Sequence, residues 1–166
     1  VPLERFSASW REQYVESATI QERIGEPDIC VFCELAQMEV SIDTGVLLIG
    51  EHTFVCLNAY PYGSGHVLIL PKAHVPDLES LSGEQTTELF YFVSRISRAL
   101  RGAYKPDGLN IGMNIGRAGG AGIPSHLHAH ALPRWSGDTN FMATIGEVRV
   151  LPESLASTWQ KVHAQL

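Results

Sequence analysis

His126-Leu127-His128-Ala129-His130-Ala131-Leu132 decides the reading of this chain. Along a β-strand, side chains alternate between faces with period two. Written as a strand from about His126 to Leu132, with Pro133 as its stop, the stretch puts three imidazoles on one face. Leu127, Ala129 and Ala131 face the other way, toward a core. Imidazole titrates near neutral pH, at about 6.5, and serves as nucleophile, proton donor or metal ligand. Three of them side by side form a reactive face, and nucleophilic catalysis and metal binding are both open to it.

Immediately upstream lies Asn114-Ile115-Gly116-Arg117-Ala118-Gly119-Gly120-Ala121-Gly122. Glycines let backbone amides converge on an oxyanion, and Asn114 and Arg117 add side-chain donors. The loop leads into a strand, so it is neither a Walker nor a Rossmann signature. With Gly116, Gly120 and Gly122 it is a candidate phosphate cradle, or simply a flexible hairpin.

Further outward, Leu109 to Ile115 reads as a fourth strand. Before it, Leu89, Val93, Ile96 and Leu100 recur at helical spacing. Ser82 and Gln85 form a capping box at the start of that helix, and Gly102 and Pro106 close it. His66-Val67-Leu68-Ile69-Leu70 is a near-continuous apolar strand stopped by Pro71. Val46 to Ile49 and Thr53 to Leu57 read as a hairpin around Gly50-Glu51-His52. A short last helix starts after Pro152 and carries Leu155 and Trp159. His52, His66 and His163 read as ordinary, the last on the exposed side of that helix. In residues 1–29, Trp10, Tyr14 and Val15 outline a weakly periodic amphipathic segment. The expected class is α+β: a five-stranded antiparallel meander with a long helix on one face and a short C-terminal helix.

The 166 residues suit one domain, with a core over about 30–150, an N-terminal extension over 1–29 and a C-terminal helix over 151–166. Hydrophobic residues make up 45%, which fits a globular chain, and charged residues only 18%, below the usual ~25%. That shortage of charged surface points to a subunit interface. The net charge of −6 gives no basic field for gripping nucleic acid. No apolar run reaches the ~20 residues of a membrane span, and the start has no signal core. The expected location is cytoplasmic, with no membrane or nucleic-acid partner. Three cysteines leave no even disulfide framework. Cys56 sits in an apolar run as a small hydrophobe, and Cys30-Val31-Phe32-Cys33 is a C-x-x-C. That spacing suits two corners of a zinc site, a redox pair or two buried thiols.

The motif His126-Leu127-His128-Ala129-His130-Ala131-Leu132 resembles the signature of the histidine-triad (HIT) family. Leu57-Asn58, the Pro61 to Gly65 loop, the run from His66 to His74, and Asn114 match too, so the resemblance covers about residues 30–150. The tail Trp135 to Met142, and Trp10-Arg11 with Tyr14, resemble a bacterial branch that includes diadenosine tetraphosphate phosphorylases. The resemblance implies a HIT-like fold, a homodimer and an enzyme that cuts a small nucleotide at its α-phosphate. It makes His128 the attacking group, through a nucleotidyl-histidine intermediate, with His126 and His130 orienting the site. Asn58 falls at a ribose position. Asn114, Gly116, Arg117, Gly120, Gly122 and Trp135 fall to phosphate and nucleotide contacts. It also implies a structural zinc at Cys30, Cys33, His74 and His126, and no organic cofactor. Many members carry Ser or Thr shortly before the triad. Here Gly120-Ala121-Gly122-Ile123-Pro124 has no hydroxyl, and Ser125 adjoins His126 directly.

Three functions follow: a dinucleoside polyphosphate hydrolase or phosphorylase, with nucleoside phosphoramidates as alternative substrates; a zinc hydrolase using the triad as ligands; and a nucleotide-binding regulator. A nucleophilic His128 must be neutral, and its pKa is expected near the reference value.

Overall fold

The computed structural model describes residues 30–139 and 153–166. The readings on Trp10, Arg11, Tyr14 and Val15, and on the tail beyond Thr139, lie outside the described residues. Residues 30–135 and 153–166 belong to one compact unit. Its elements are α1 (Val31–Leu35), β1 (Val46–Ile49), β2 (Thr53–Leu57), β3 (Val67–Pro71), α2 (Gly83–Tyr104), β4 (Gly108–Met113), β5 (Ala129–Arg134) and α3 (Leu155–His163).

The five strands form one antiparallel sheet, as expected, in the order β1-β2-β3-β5-β4. Only β1 to β3 run as a sequential meander. The 22-residue helix α2 spans about 33 Å at 1.5 Å per residue. It carries the chain back to the end of the sheet from which β3 set out. β4 therefore runs parallel to β3, and β5 folds back between them, antiparallel to both. That insertion puts the triad strand against β3, with Leu68 opposite His130.

Each face of the sheet has its own apolar cluster. On one face, Leu89, Phe92, Ile96, Ala99 and Leu100 of α2 pack on Leu47, Val55, Val67 and Ile69, with Leu127, Ala129 and Ala131. On the other, Phe32 and Ala36 cover Val46, Phe54, Cys56, Leu68 and Leu70. Covering both faces explains the unbroken apolar run of β3, which a strand solvated on one side does not show. Ser82 and Gln85 make the expected capping box. Gly102, read as a helix terminator, lies inside α2, where an added Cβ would meet Gln165 at 2.5 Å. The helix stops instead at Lys105, which takes the left-handed conformation at φ 46°. α3 is tied to β1 by the Trp159 indole N–H, which donates to the Val46 carbonyl at 2.9 Å. His163 is exposed on α3 as expected, stacked on Trp159.

Candidate active site and metal centre

β5 begins at Ala129, not at His126, so His126, at a bend, and His128 lie just before the strand. Their imidazoles still sit on the face opposite Leu127, Ala129 and Ala131, and both touch Phe32 of α1, at centroid separations of 5.5 and 5.2 Å. The expected shared face exists, but the three rings turn to different partners.

His126 is fully buried. Its Nε2–H donates to the Pro71 carbonyl at 2.9 Å, which leaves the Nδ1 lone pair facing the thiols. Nδ1 lies 3.5 Å from Cys30 Sγ and 3.6 Å from Cys33 Sγ. Cys33 Sγ is 3.2 Å from His74 Nδ1. The four ligand atoms all lie within 4.8 Å of one another. Bonds of about 2.3 Å to sulfur and 2.0–2.1 Å to nitrogen require sulfur–nitrogen separations of about 3.5 Å in a zinc tetrahedron. The three measured separations straddle that value. A backbone acceptor holding a ligand histidine's other nitrogen is the usual support of such a site. Burial and the neighbouring Cys30 thiol push the Cys33 pKa up; a divalent cation among the sulfurs opposes that rise. The helix presenting these thiols, with Cys30 at its N-cap, is absent from the sequence reading because five residues are too few for helical periodicity. The structure thus assembles Cys30, Cys33, His74 and His126 and fits zinc by its donor set. It does not converge the triad on one ion: among the described residues, no group of potential metal ligands contains His128 or His130.

His128, 5% exposed, donates Nδ1–H to the His126 carbonyl at 2.8 Å. A neutral ring carries one proton, so Nε2 keeps its lone pair. Burial lowers its pKa, and the His126 carbonyl raises it only in part. The expectation of a reference pKa is corrected accordingly: desolvation favours the neutral, nucleophilic form.

His130 is set by a chain that the sequence reading missed. The Tyr62 backbone N–H donates to His66 Nδ1 at 2.9 Å. His66 must then carry its proton on Nε2, 2.9 Å from His130 Nδ1. His130 in turn must be protonated on Nε2, which is buried and has no hydrogen-bond partner. An unpaired buried donor costs about 1–3 kcal/mol, and an anionic ligand removes that cost. The His128 and His130 rings are 5.0 Å apart, so a bare lone pair and an unpaired N–H donor stand side by side. His66, read as ordinary, is 1% exposed and belongs to the site. Its traces in the sequence are a polar residue at the head of an apolar strand and its place at the start of the His66 to His74 run that matches the family. Its pairing with His130 depends on β5 lying beside β3.

Asn58 is near His66, with Nδ2 3.4 Å from Nδ1, and its Oδ1 accepts the Tyr60 N–H. Asn114 Nδ2 donates to the Gly120 carbonyl at 3.3 Å, bracing the glycine loop. Gly116 and Gly120 adopt positive φ, 69° and 89°. Two loop amides donate within the loop, Gly120 to the Arg117 carbonyl and Ala121 to the Gly116 carbonyl, so neither points outward as a phosphate donor. Gly122 is half-buried and Arg117 exposed. Trp135 follows the far end of β5, about 16 Å from His130 at 3.3 Å per residue, and its ring meets Tyr104. The structure does not bring it to the histidines.

The described geometry meets the comparisons at this point. The HIT domain pattern matches residues 39–137. The chain belongs to the HIT domain family. It is 32% identical over 162 residues to AP-4-A phosphorylase of Mycobacterium tuberculosis, covering 94% of this chain and 80% of that protein. A zinc-bound histidine triad family protein from Mycobacterium smegmatis superimposes with a TM-score of 0.64 at 29% identity, over 82% of this chain and 91% of the other. A histidine triad nucleotide-binding protein from Sulfolobus tokodaii gives the same score and coverage at 27% identity. No helix among the described residues of this HIT protein is long and apolar enough to cross a membrane.

Burial also makes the site sensitive to acid. His130 has its pKa lowered to about 4 by burial and then by His128, against 6.5 when unfolded. As pH falls through that window, the unfolded chain takes up the proton first. The His130 contribution is therefore intact above pH 6.5 and lost toward pH 4. Urea midpoints are expected to fall from pH 7.5 to pH 5, with a shallower fall in His130→Asn. Equal slopes in the two proteins count against it.

Proposed function

We propose that this HIT protein cleaves a dinucleoside polyphosphate, diadenosine tetraphosphate or a close analogue, at the α-phosphate through a nucleotidyl intermediate on His128. The observation that carries this reading is the juxtaposition of the bare His128 Nε2 with the unpaired His130 Nε2–H. His128 Nε2 forms a bond to the α-phosphorus while the bond to the departing polyphosphate oxygen breaks. His130 Nε2–H donates to phosphate oxygen as negative charge builds. Asn58 is assigned to the ribose. In the second step an oxygen nucleophile attacks phosphorus and the nitrogen–phosphorus bond breaks, restoring His128. Water releases a nucleoside monophosphate; inorganic phosphate releases a nucleoside diphosphate. The likeness to AP-4-A phosphorylase supports phosphate as the acceptor. The zinc centre, where bound, holds α1 and His126 in place and takes no part in these steps.

The test is a panel of diadenosine tetraphosphate, diadenosine triphosphate and adenosine phosphoramidate, with and without inorganic phosphate, and with the products identified. ADP and ATP from diadenosine tetraphosphate in phosphate establish phosphorolysis. AMP and ATP at a phosphate-independent rate establish hydrolysis. No turnover of any member sinks the reading.

A homodimer belongs to the same proposal. Among the described residues, no strand pairs with the outer edge of β4, and edges of this kind are normally covered. Phe90, Tyr91 and Ile111 are exposed. Light scattering is expected to give twice the 18.2 kDa chain mass; a monomer at micromolar concentration contradicts it.

A further inference from the structure

The C-x-x-C of α1 has a second chemistry open to it. Cys30 is the N-cap of the helix and Cys33 lies one turn along it. The turn is closed by the Glu34 N–H, which donates to the Cys30 carbonyl at 3.1 Å. Residues three apart on a helix have Cα atoms about 5 Å apart, inside the range of roughly 4.4–6.8 Å that a disulfide spans. The two sulfurs lie within 4.8 Å of each other. Both cysteines are free and half-exposed, and His74 beside them is exposed, so a small oxidant reaches the pair from solvent. Cys56, the third cysteine, is buried in the apolar cluster of the sheet. We propose that Cys30 and Cys33 are a reversible redox switch: a small-molecule disulfide oxidises them to a disulfide with each other and zinc is expelled. The proposal rests on the zinc centre assigned above and is independent of the nucleotide chemistry.

The step balances with that oxidant alone. One cysteine sulfur attacks the oxidant's disulfide and displaces a first thiolate; the other cysteine attacks the resulting mixed disulfide and displaces a second. Two protein sulfurs lose one electron each, the oxidant's two sulfurs gain one each, and the zinc ion leaves with its charge unchanged. Zinc and disulfide are exclusive uses of the same sulfurs. Oxidation leaves the ion only His74 and His126, two neutral ligands in place of four.

The two states constrain the fold differently. Zinc ties α1 to His74, 41 residues from Cys33, and to His126, 93 residues from Cys33 and 96 from Cys30. The disulfide ties residue 30 to residue 33 and to nothing else. A cross-link restricts the unfolded chain more when it closes a longer loop, so oxidation exchanges a tertiary staple for a local ring. With five residues, α1 is too short to hold as a helix unaided. The packing of Phe32 and Ala36 on Phe54, Leu68 and Leu70 is then what seats it. This disulfide therefore accompanies a loss of stability, the reverse of the usual effect of such a bond.

The decisive experiment treats the zinc-loaded protein with excess oxidised glutathione. A metallochromic dye reports free zinc, and peptide mass spectrometry maps the cysteines. Zinc is expected to appear in step with a Cys30–Cys33 disulfide, with Cys56 still a thiol. The melting temperature is expected to fall by about 10 °C, to that of chelator-stripped protein, and to recover with dithiothreitol and added zinc. Zinc that stays bound overturns the switch, and so does release with Cys30 and Cys33 found only as glutathione adducts. Oxidised protein that melts at or above the zinc-loaded temperature overturns it too. A protein that carries no zinc when purified defeats the metal assignment and the switch together, whereas zinc retained under oxidation defeats the switch alone.

Discussion

His128→Asn is expected to bind nucleotide and to turn it over on the order of 10⁴-fold more slowly, or less, because removing a covalent nucleophile leaves a site that only binds and polarises. Asparagine retains a donor in about the position of Nδ1–H, so the His126 carbonyl keeps a partner and the fold is preserved. What disappears is the Nε2 lone pair, which the structure leaves bare by directing the ring's single proton to that carbonyl. His130→Asn is expected to be milder, since it removes a donor to developing charge and leaves the bond-forming atom in place. The matching positive result is a nucleotidyl adduct on His128, trapped by rapid quenching at alkaline pH and located by mass spectrometry, because a phosphorus–nitrogen bond is acid-labile. Near-parental turnover by His128→Asn, on a substrate the parent cleaves, ends the proposed mechanism.

The second large effect concerns metal. Protein purified without chelator is expected to carry one zinc per chain. Stripping the zinc is expected to lower the melting temperature by about 10 °C. The size follows from binding linkage: a ligand present at a thousand times its dissociation constant stabilises by about 4 kcal/mol, and each kcal/mol moves the midpoint of a chain of this size by roughly 2–4 °C. The effect would fall mainly on stability because Cys30, Cys33, His74 and His126 would together supply four protein ligands, leaving no position for substrate. Cys33→Ser is expected to lose the metal and reproduce the stripped protein's melting temperature. Cys33 is the informative choice because its sulfur reaches both His74 and His126. Substoichiometric metal by elemental analysis, with a melting temperature indifferent to chelation, would falsify the assignment.

The candidate metal site and the proposed nucleophile are adjacent because His126 contributes to both. His126 directs its ring toward the thiols and its carbonyl to the His128 ring. Phe32, set between the two cysteines in sequence, touches both imidazoles. Sequence spacing showed the parts of this arrangement but not their division of labour. Period-two alternation correctly put three rings on one face. It could not show that each turns to a different partner, because side-chain orientation depends on the Pro71 carbonyl for His126, the His126 carbonyl for His128 and the His66 Nε2–H donor for His130.

What the sequence by itself determined is local and periodic. The α+β class, the hairpin of β1 and β2, the capping box of α2, the apolar strand β3 and the triad face all follow from spacings within a few residues. Backbone geometry imposes those periods whatever the rest of the chain does. The matched family motif added the cysteine and histidine ligand set. The tertiary structure alone decided the rest. It placed β5 between β3 and β4, and with that placement His66 meets His130 across 64 residues of chain. It withdrew Trp135 to the far end of β5 and turned two loop amides inward. It also lowered the pKa values of His126, His128 and His130 by burial. Each of these is a contact or a desolvation between segments distant in sequence. Burial and hydrogen-bond partnership belong to the packed chain as a whole, so no window of residues carries them.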